Sequence, residues 1–203
     1  MIKSKIISRV RKEIPTYYNS SETTRFLSLA HKEIWFDGGF KLDCSLEEKS
    51  KFYQSAALFV EFIKRIIHEN NETTIYIGTF LKKVNNSEDW TDLNKYDCYI
   101  NLFNFISNDC IKKFKPFENS NIIDYVVENG LRYFTKTCLY LPNSKIIIRP
   151  ECHQRLEIFC SNYSEFIMRS SPLLEQQEFC CLELYDYNGN FHKISGNSNK
   201  GDG

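Results

Sequence analysis

From Ser45 to about Glu69 the chain reads SLEEKSKFYQSAALFVEFIKRIIHE, and this segment restricts the fold more than any other. Phe52, Ala56, Phe59/Val60, Ile63 and Ile66/Ile67 recur at i, i+4, i+7, i+11 and i+14, the spacing of one apolar helical face. Lys49, Lys51, Glu61, Lys64 and Arg65 lie off that stripe. Ser45 and Glu48 have the spacing of a capping box, in which the hydroxyl accepts from the backbone N–H three residues on and the carboxylate reaches back to the cap. Asn70-Asn71 ends the pattern. A helix this long serves as the spine of a fold, with a core along its stripe.

The residues before it read as helical. Ile2, Ile6, Val10 and Ile14 recur at helical spacing among Lys3, Lys5, Arg9, Arg11 and Lys12, and Pro15 stops the run. A basic amphipathic opening suits a membrane surface or a transit peptide. Glu13 and the following Pro-Thr-Tyr-Tyr favour an ordinary helix with a solvated basic face. A second helix is expected over Glu22 to Ile34, with Phe26, Leu27, Leu29, Ala30 and Ile34 as its apolar side and Gly38-Gly39 as the break.

After Asn71 the period changes. Thr73 to Phe80 reads as a strand, and so does Tyr96 to Phe105. Asn119 to Glu128 reads as a short helix closed by Asn129-Gly130. Leu131 to Leu141 and Lys145 to Arg149, around Pro142-Asn143-Ser144, form a hairpin. Glu151 to Arg169 has helical spacing. Phe179 to Tyr187 and Phe191 to Ile194 make a last hairpin around Asn188-Gly189-Asn190. The expected fold is therefore α+β: a helical N-terminal third packed on a mainly antiparallel sheet with two or three further helices. Residues 1–194 are expected to be one domain, with a helical part over 1–70 and a mixed part over 71–194. The Gly, Asn and Ser of 195–203 read as a disordered tail.

With 16 Phe and 12 Tyr in 203 residues, the chain has enough bulky apolar surface for a core. Lys plus Arg equals Asp plus Glu, 26 each. A balanced charge argues against generic phosphate-backbone binding and leaves a local basic patch open. No run of about 20 apolar residues is present to span a membrane. The opening residues lack a secretory h-region, so the expected compartment is the cytoplasm, where the cysteines stay reduced.

The 8 cysteines and 4 histidines include no Cys-x-x-Cys spacing. Cys152, His153, Cys160 and Cys180 are the best set for a metal. Read on one helix, Cys152 and Cys160 are separated by about 12 Å of rise, too far for one ion, so no metal and no cofactor are expected. Arg25 and His31 can pair for acid–base work on RNA, with His taking a hydroxyl proton and Arg steadying the phosphate. Their spacing resembles the Arg/His motif of HEPN-type metal-independent ribonucleases, and that resemblance implies RNA cleavage. Phe26 stands where that motif usually has a polar residue, and helical spacing sets the pair about 120° out of register. Tyr76-Ile77-Gly78 and Gly78-Thr79 with Asp97 are fragments of nuclease and nucleotidyltransferase patterns, each lacking its other half, and Asp43 with Glu47 to Lys49 resembles a nuclease carboxylate pattern but opens a helix, with Glu48 used in the capping box. Lys112, Lys113 and Lys115, interleaved with Phe114 and Phe117, are the candidate nucleic-acid contact.

The expected function is a non-enzymatic protein–protein interaction module, a small cytosolic accessory or effector/immunity-type subunit. Its partner is another protein or a second copy. Tyr17, Tyr18, Trp35, Trp90 and Phe117 are the candidate partner-binding aromatics. The alternative is a ribonuclease acting through Arg25 and His31.

Overall fold

Among the described residues, eight strands form a single sheet in the order β3-β2-β4-β5-β6-β1-β7-β8. Every neighbouring pair is antiparallel. The structure is a computed structural model and describes residues 2–14, 25–31, 45–80, 97–106, 114–117, 121–132, 136–151, 154–176, 178–186 and 191–192. Within these the elements run α1 (Ile2–Glu13), β1 (Arg25–His31), α2 (Leu46–Glu69), β2 (Ile75–Phe80), α3 (Asp97–Ile106), β3 (Phe114–Phe117) and α4 (Asn121–Leu131). They continue as β4 (Lys136–Leu141), β5 (Ile146–Glu151), β6 (Arg155–Cys160), α5 (Tyr163–Gln176), β7 (Phe179–Asp186) and β8 (Phe191–His192). The fold is thus α+β, with β1 set between α1 and α2 and three further helices after them among the described residues.

The long helix forms as its sequence dictates. Ser45 Oγ accepts from the Glu48 N–H at 3.2 Å, and Glu48 Oε2 accepts from the Ser45 N–H at 2.7 Å. Phe52, Ala56, Phe59, Val60, Ile63 and Ile66 are buried along its stripe, with Ser55 and Phe62 beside them. At the far end the Asn71 N–H donates to the His68 carbonyl and the Glu72 N–H to the Ile67 carbonyl. With Asn71 at φ 49°, this is a Schellman ending, and Asn tolerates the left-handed position better than most side chains. The turn delivers Glu72 to the hairpin across from it.

The sheet buries both faces. On one, Leu27, Leu29, Ile77, Leu139, Leu141, Ile148, Leu156 and Ile158 meet α2, α4 and α5 in the main core. On the other, Cys138, Tyr140, Ile147 and Phe159 meet Val10 and Ile14 at α1. Each fully buried Phe or Ile contributes ~1.5–3 kcal/mol, so α1 is held by packing more than by propensity. Arg149 and Glu157, opposite each other on β5 and β6, pair on that face beside Phe159.

Four sequence expectations are corrected. Of the helix expected over Glu22 to Ile34, the described part, Arg25–His31, is strand β1, inserted between β6 and β7. Tyr96 to Phe105, expected as a strand, is helix α3 from Asp97. Glu151 to Arg169 splits into the end of β5, strand β6 and helix α5. Asn129-Gly130 does not stop α4. Both residues are buried inside it, and Gly130 is where the helix backbone touches β5: a Cβ there would lie 2.6 Å from Pro150 Cβ. The helix over 2–13 and the long helix stand where the sequence puts them; the first hairpin pairs as expected but starts at Lys136, Leu131 belonging to α4, and β7 pairs with β8 while the turn at 188–190 lies outside the described residues. The tail over 195–203 lies outside the described residues.

Candidate functional site

Three segments distant in sequence meet at one end of the sheet: the end of α2, the β4–β5 turn, and the passage from β6 into α5. Each ends in Asn or Ser, the residues that satisfy backbone groups at element ends. Between them lies a cleft of about 430 Å³, within the usual size range of binding pockets. Ile66, Ile146, Cys160 and Phe166 are the buried apolar residues of its lining, whereas Glu69, Asn143, Lys145, Asn162, Glu165 and Arg169 are exposed around them. The surface the cleft exposes is mainly polar, laid over this buried apolar layer.

The walls are fixed by polar contacts. Glu72 clasps the β4–β5 turn: Oε2 accepts from the Asn143 N–H at 3.0 Å, and Oε1 accepts from the Ser144 N–H and hydroxyl, both at 2.7 Å. Asn143 Nδ2 donates to the Asn71 carbonyl at 2.8 Å. Lys145 sits at φ 54°, a left-handed backbone that costs a non-glycine residue about 1–3 kcal/mol unless its surroundings hold it. Opposite, Asn162 Oδ1 caps α5 by accepting from the Glu165 N–H at 3.1 Å. Arg169 closes the third side, donating to Asn70 Oδ1 at 3.0 Å, with Glu165 3.8 Å away.

The thiol in the cleft is chemically quiet. Burial pushes Cys160 up to about 12, so at neutral pH it is a protonated, weak nucleophile. Cys98 is likewise pushed up to about 12 by burial, with Glu128 adding to the effect. It belongs to a packed polar cluster at α3 and α4, where the buried Arg132 stacks on Phe52 and donates to Glu128 at 2.9 Å. Asn129 there ties the Cys98 and Tyr125 carbonyls together, each at 2.7 Å.

The outer surface of α1 is the second feature of note. Its apolar side is spent on the sheet, and its acidic residue Glu13 is turned inward, accepting from the Tyr140 hydroxyl at 2.5 Å and from Arg9 Nε at 2.9 Å. Burial and this carboxylate push the Tyr140 phenol well above its ordinary value. Arg9 also donates to the Pro142 carbonyl at 3.4 Å, so the helix abuts the turn that walls the cleft. Lys5, Arg9, Arg11 and Lys12 are exposed.

The cleft gathers none of the residues singled out from the sequence except Cys160. Arg25 and His31 are the two end residues of β1. Six residues along a strand separate their backbones by about 20 Å, so within one chain they do not converge on one phosphate, and the Arg/His catalytic pair is withdrawn. Phe117 is 5% exposed within the main core, which removes it as a partner-binding aromatic. Tyr140, Phe52, Phe59, Phe62 and Phe159 are also fully buried. These aromatics therefore serve the core, whereas Tyr53 on α2 is exposed. Cys160 lies on β6 and Cys180 on β7, so Cys160 is not on a helix with Cys152, and among the described residues no group of three or more metal-ligating side chains converges. Lys115 is in β3, paired with Ile77. Tyr17, Tyr18, Trp35, Trp90, Lys112, Lys113, Cys152 and His153 lie outside the described residues.

Comparison with protein-family models, with curated proteins and with solved structures finds no match. No helix among the described residues is long and apolar enough to cross a membrane.

Proposed function

We propose that this chain is a non-enzymatic docking module of the cytoplasm that engages a protein partner, with the cleft between α2, the β4–β5 turn and α5 as its anchoring point. The observation that carries the reading is the built character of the cleft: a mainly polar recess over a buried apolar layer, with walls braced by Glu72, Asn162 and the Arg169–Asn70 contact. A partner side chain seated there desolvates against Ile66 and Phe166, and the rim amides and cations supply directional contacts that fix its orientation. Preformed walls lower the ordering cost of binding. The unreactive Cys160 thiol suits a site that binds rather than transforms.

The test is affinity capture with the whole chain, identification of the protein retained, and titration of that purified protein against wild type and Arg169→Glu. We expect a complex that the substitution weakens at least about tenfold, since reversing a charge at a docking rim puts like charges together. Equal binding by both proteins, or turnover of a substrate by the purified chain, contradicts the proposal.

A further inference from the structure

We infer that the exposed side of α1 is an electrostatic docking surface for an acidic patch on the partner, separate from the cleft and linked to it at the β4–β5 turn. The inference rests on the docking function proposed above. Helix α1 carries Lys3, Lys5, Arg9, Arg11 and Lys12 against the single acid Glu13. The fold disposes of that acid by turning it onto Tyr140 and Arg9. It also consumes the apolar stripe: Val10 and Ile14 are wholly buried, and Ile6 and Ile7 pack beside them. What remains outward is cationic. Lys5, Arg9 and Lys12 follow i, i+4, i+7 spacing and so share one side of the helix, with a rise of about 10 Å from first to last. Lys5 and Lys12 are exposed and have no ion-pair partner among the described residues.

Three occupants suit a row of cations, and the structure separates them. A membrane surface needs a free apolar side on the helix, and here that side is against the sheet. A nucleic acid is held by many phosphate contacts and a cation surplus, whereas this chain balances 26 cations against 26 anions. An acidic protein patch needs only local complementarity, which a short row supplies, and it raises the encounter rate without a large net charge. The contact of Arg9 with Pro142 joins the row to the turn that presents Lys145 to the cleft. A partner that reaches past this turn meets Arg9, Lys5 and Lys12 on the α1 side of the sheet.

The experiment uses the full chain and a fluorescein-labelled peptide rich in Asp and Glu, titrated at about 50 mM and about 200 mM salt. Wild type is expected to bind the peptide, more weakly at the higher salt. Lys5→Glu/Lys12→Glu is expected to lose about tenfold in affinity while melting at the wild-type temperature, and Lys49→Glu, off the apolar stripe of α2, to lose nothing. If the double reversal does not fold, Lys5→Ala/Lys12→Ala replaces it with a smaller expected loss. Absence of peptide binding overturns the inference, as does equal binding by the reversed protein. Tighter binding of a single-stranded RNA of equal charge, or of phosphatidylserine vesicles, overturns it in favour of those partners. With the identified protein partner, sensitivity to Arg169→Glu but not to Lys5→Glu/Lys12→Glu removes this inference and leaves the docking function standing. Insensitivity to both removes the docking function as well.

Discussion

Glu72→Ala is expected to loosen one wall of the cleft, and its cost follows from three contacts. The carboxylate accepts from the Asn143 N–H, the Ser144 N–H and the Ser144 hydroxyl, at 3.0, 2.7 and 2.7 Å. Hydrogen bonds to a charged acceptor contribute about 1.5–3 kcal/mol each where water cannot replace them. Asn143 is exposed, so solvent takes over its N–H at little cost. Ser144 is half-buried, and its two donors lose most of what they had. Allowing for solvent screening, the net loss is about 2 kcal/mol, or about 4–8 °C in melting temperature for a chain of this size. Glu72→Gln keeps one acceptor oxygen without the charge and is expected to lose about half as much. Urea unfolding of the three proteins measures both values. A loss for Glu72→Ala below about 0.5 kcal/mol, the level of an ordinary surface substitution, refutes the view that this side chain holds the turn. The same variant is expected to bind the partner more weakly, because Asn143 and Lys145 move with the turn.

Two further outcomes follow from the packing. Gly130→Ala is expected to destabilise the fold by about 2–3 kcal/mol in urea unfolding, since the new methyl meets Pro150 Cβ at 2.6 Å and its carbonyl oxygen at 2.7 Å; a neutral substitution disproves the close approach of α4 to β5. The buried thiols of Cys98 and Cys160, both pushed up to about 12 from 9.0, keep their protons between those values in the folded state and release them in the unfolded one. The stability that these two thiols contribute should therefore be complete below about pH 9 and be lost as pH rises toward 12. Cys160→Ala is expected to flatten that decline, and an unchanged pH profile argues against the burial effect.

The legible parts of the fold were those coded locally. The Ser45–Glu48 box, the stripe from Phe52 to Ile66 and the Asn-Gly hairpin each place their signal within one element. β1 was misread because both faces of the sheet are covered: Phe26, Leu27, Leu29 and Ala30 all have apolar surroundings, and a strand buried on two sides loses the polar alternation that separates it from a helix. β6 hid for the same reason, with Leu156, Ile158, Phe159 and Cys160 consecutive or nearly so and Glu157 buried through its pairing with Arg149 on β5. The helix over Asp97–Ile106 carries the Tyr, Ile and Phe residues that propensity assigns to strands, and packing against α4 overrode it. The cleft has no sequence motif because residues near 70, 144 and 162 meet only in the sheet. The signal available was a common one, Asn and Ser at three element ends, and it gains meaning only once the antiparallel order brings those ends together.

Hydrogen–deuterium exchange on the whole chain, alone and with its purified partner, addresses docking through the cleft and α1 most directly. Slowed exchange at residues 143–146, at 162–170 and along α1, with α3 and α4 unchanged, is the expected pattern. Protection confined to α3 and α4, or none in the cleft walls at saturating partner, contradicts the account.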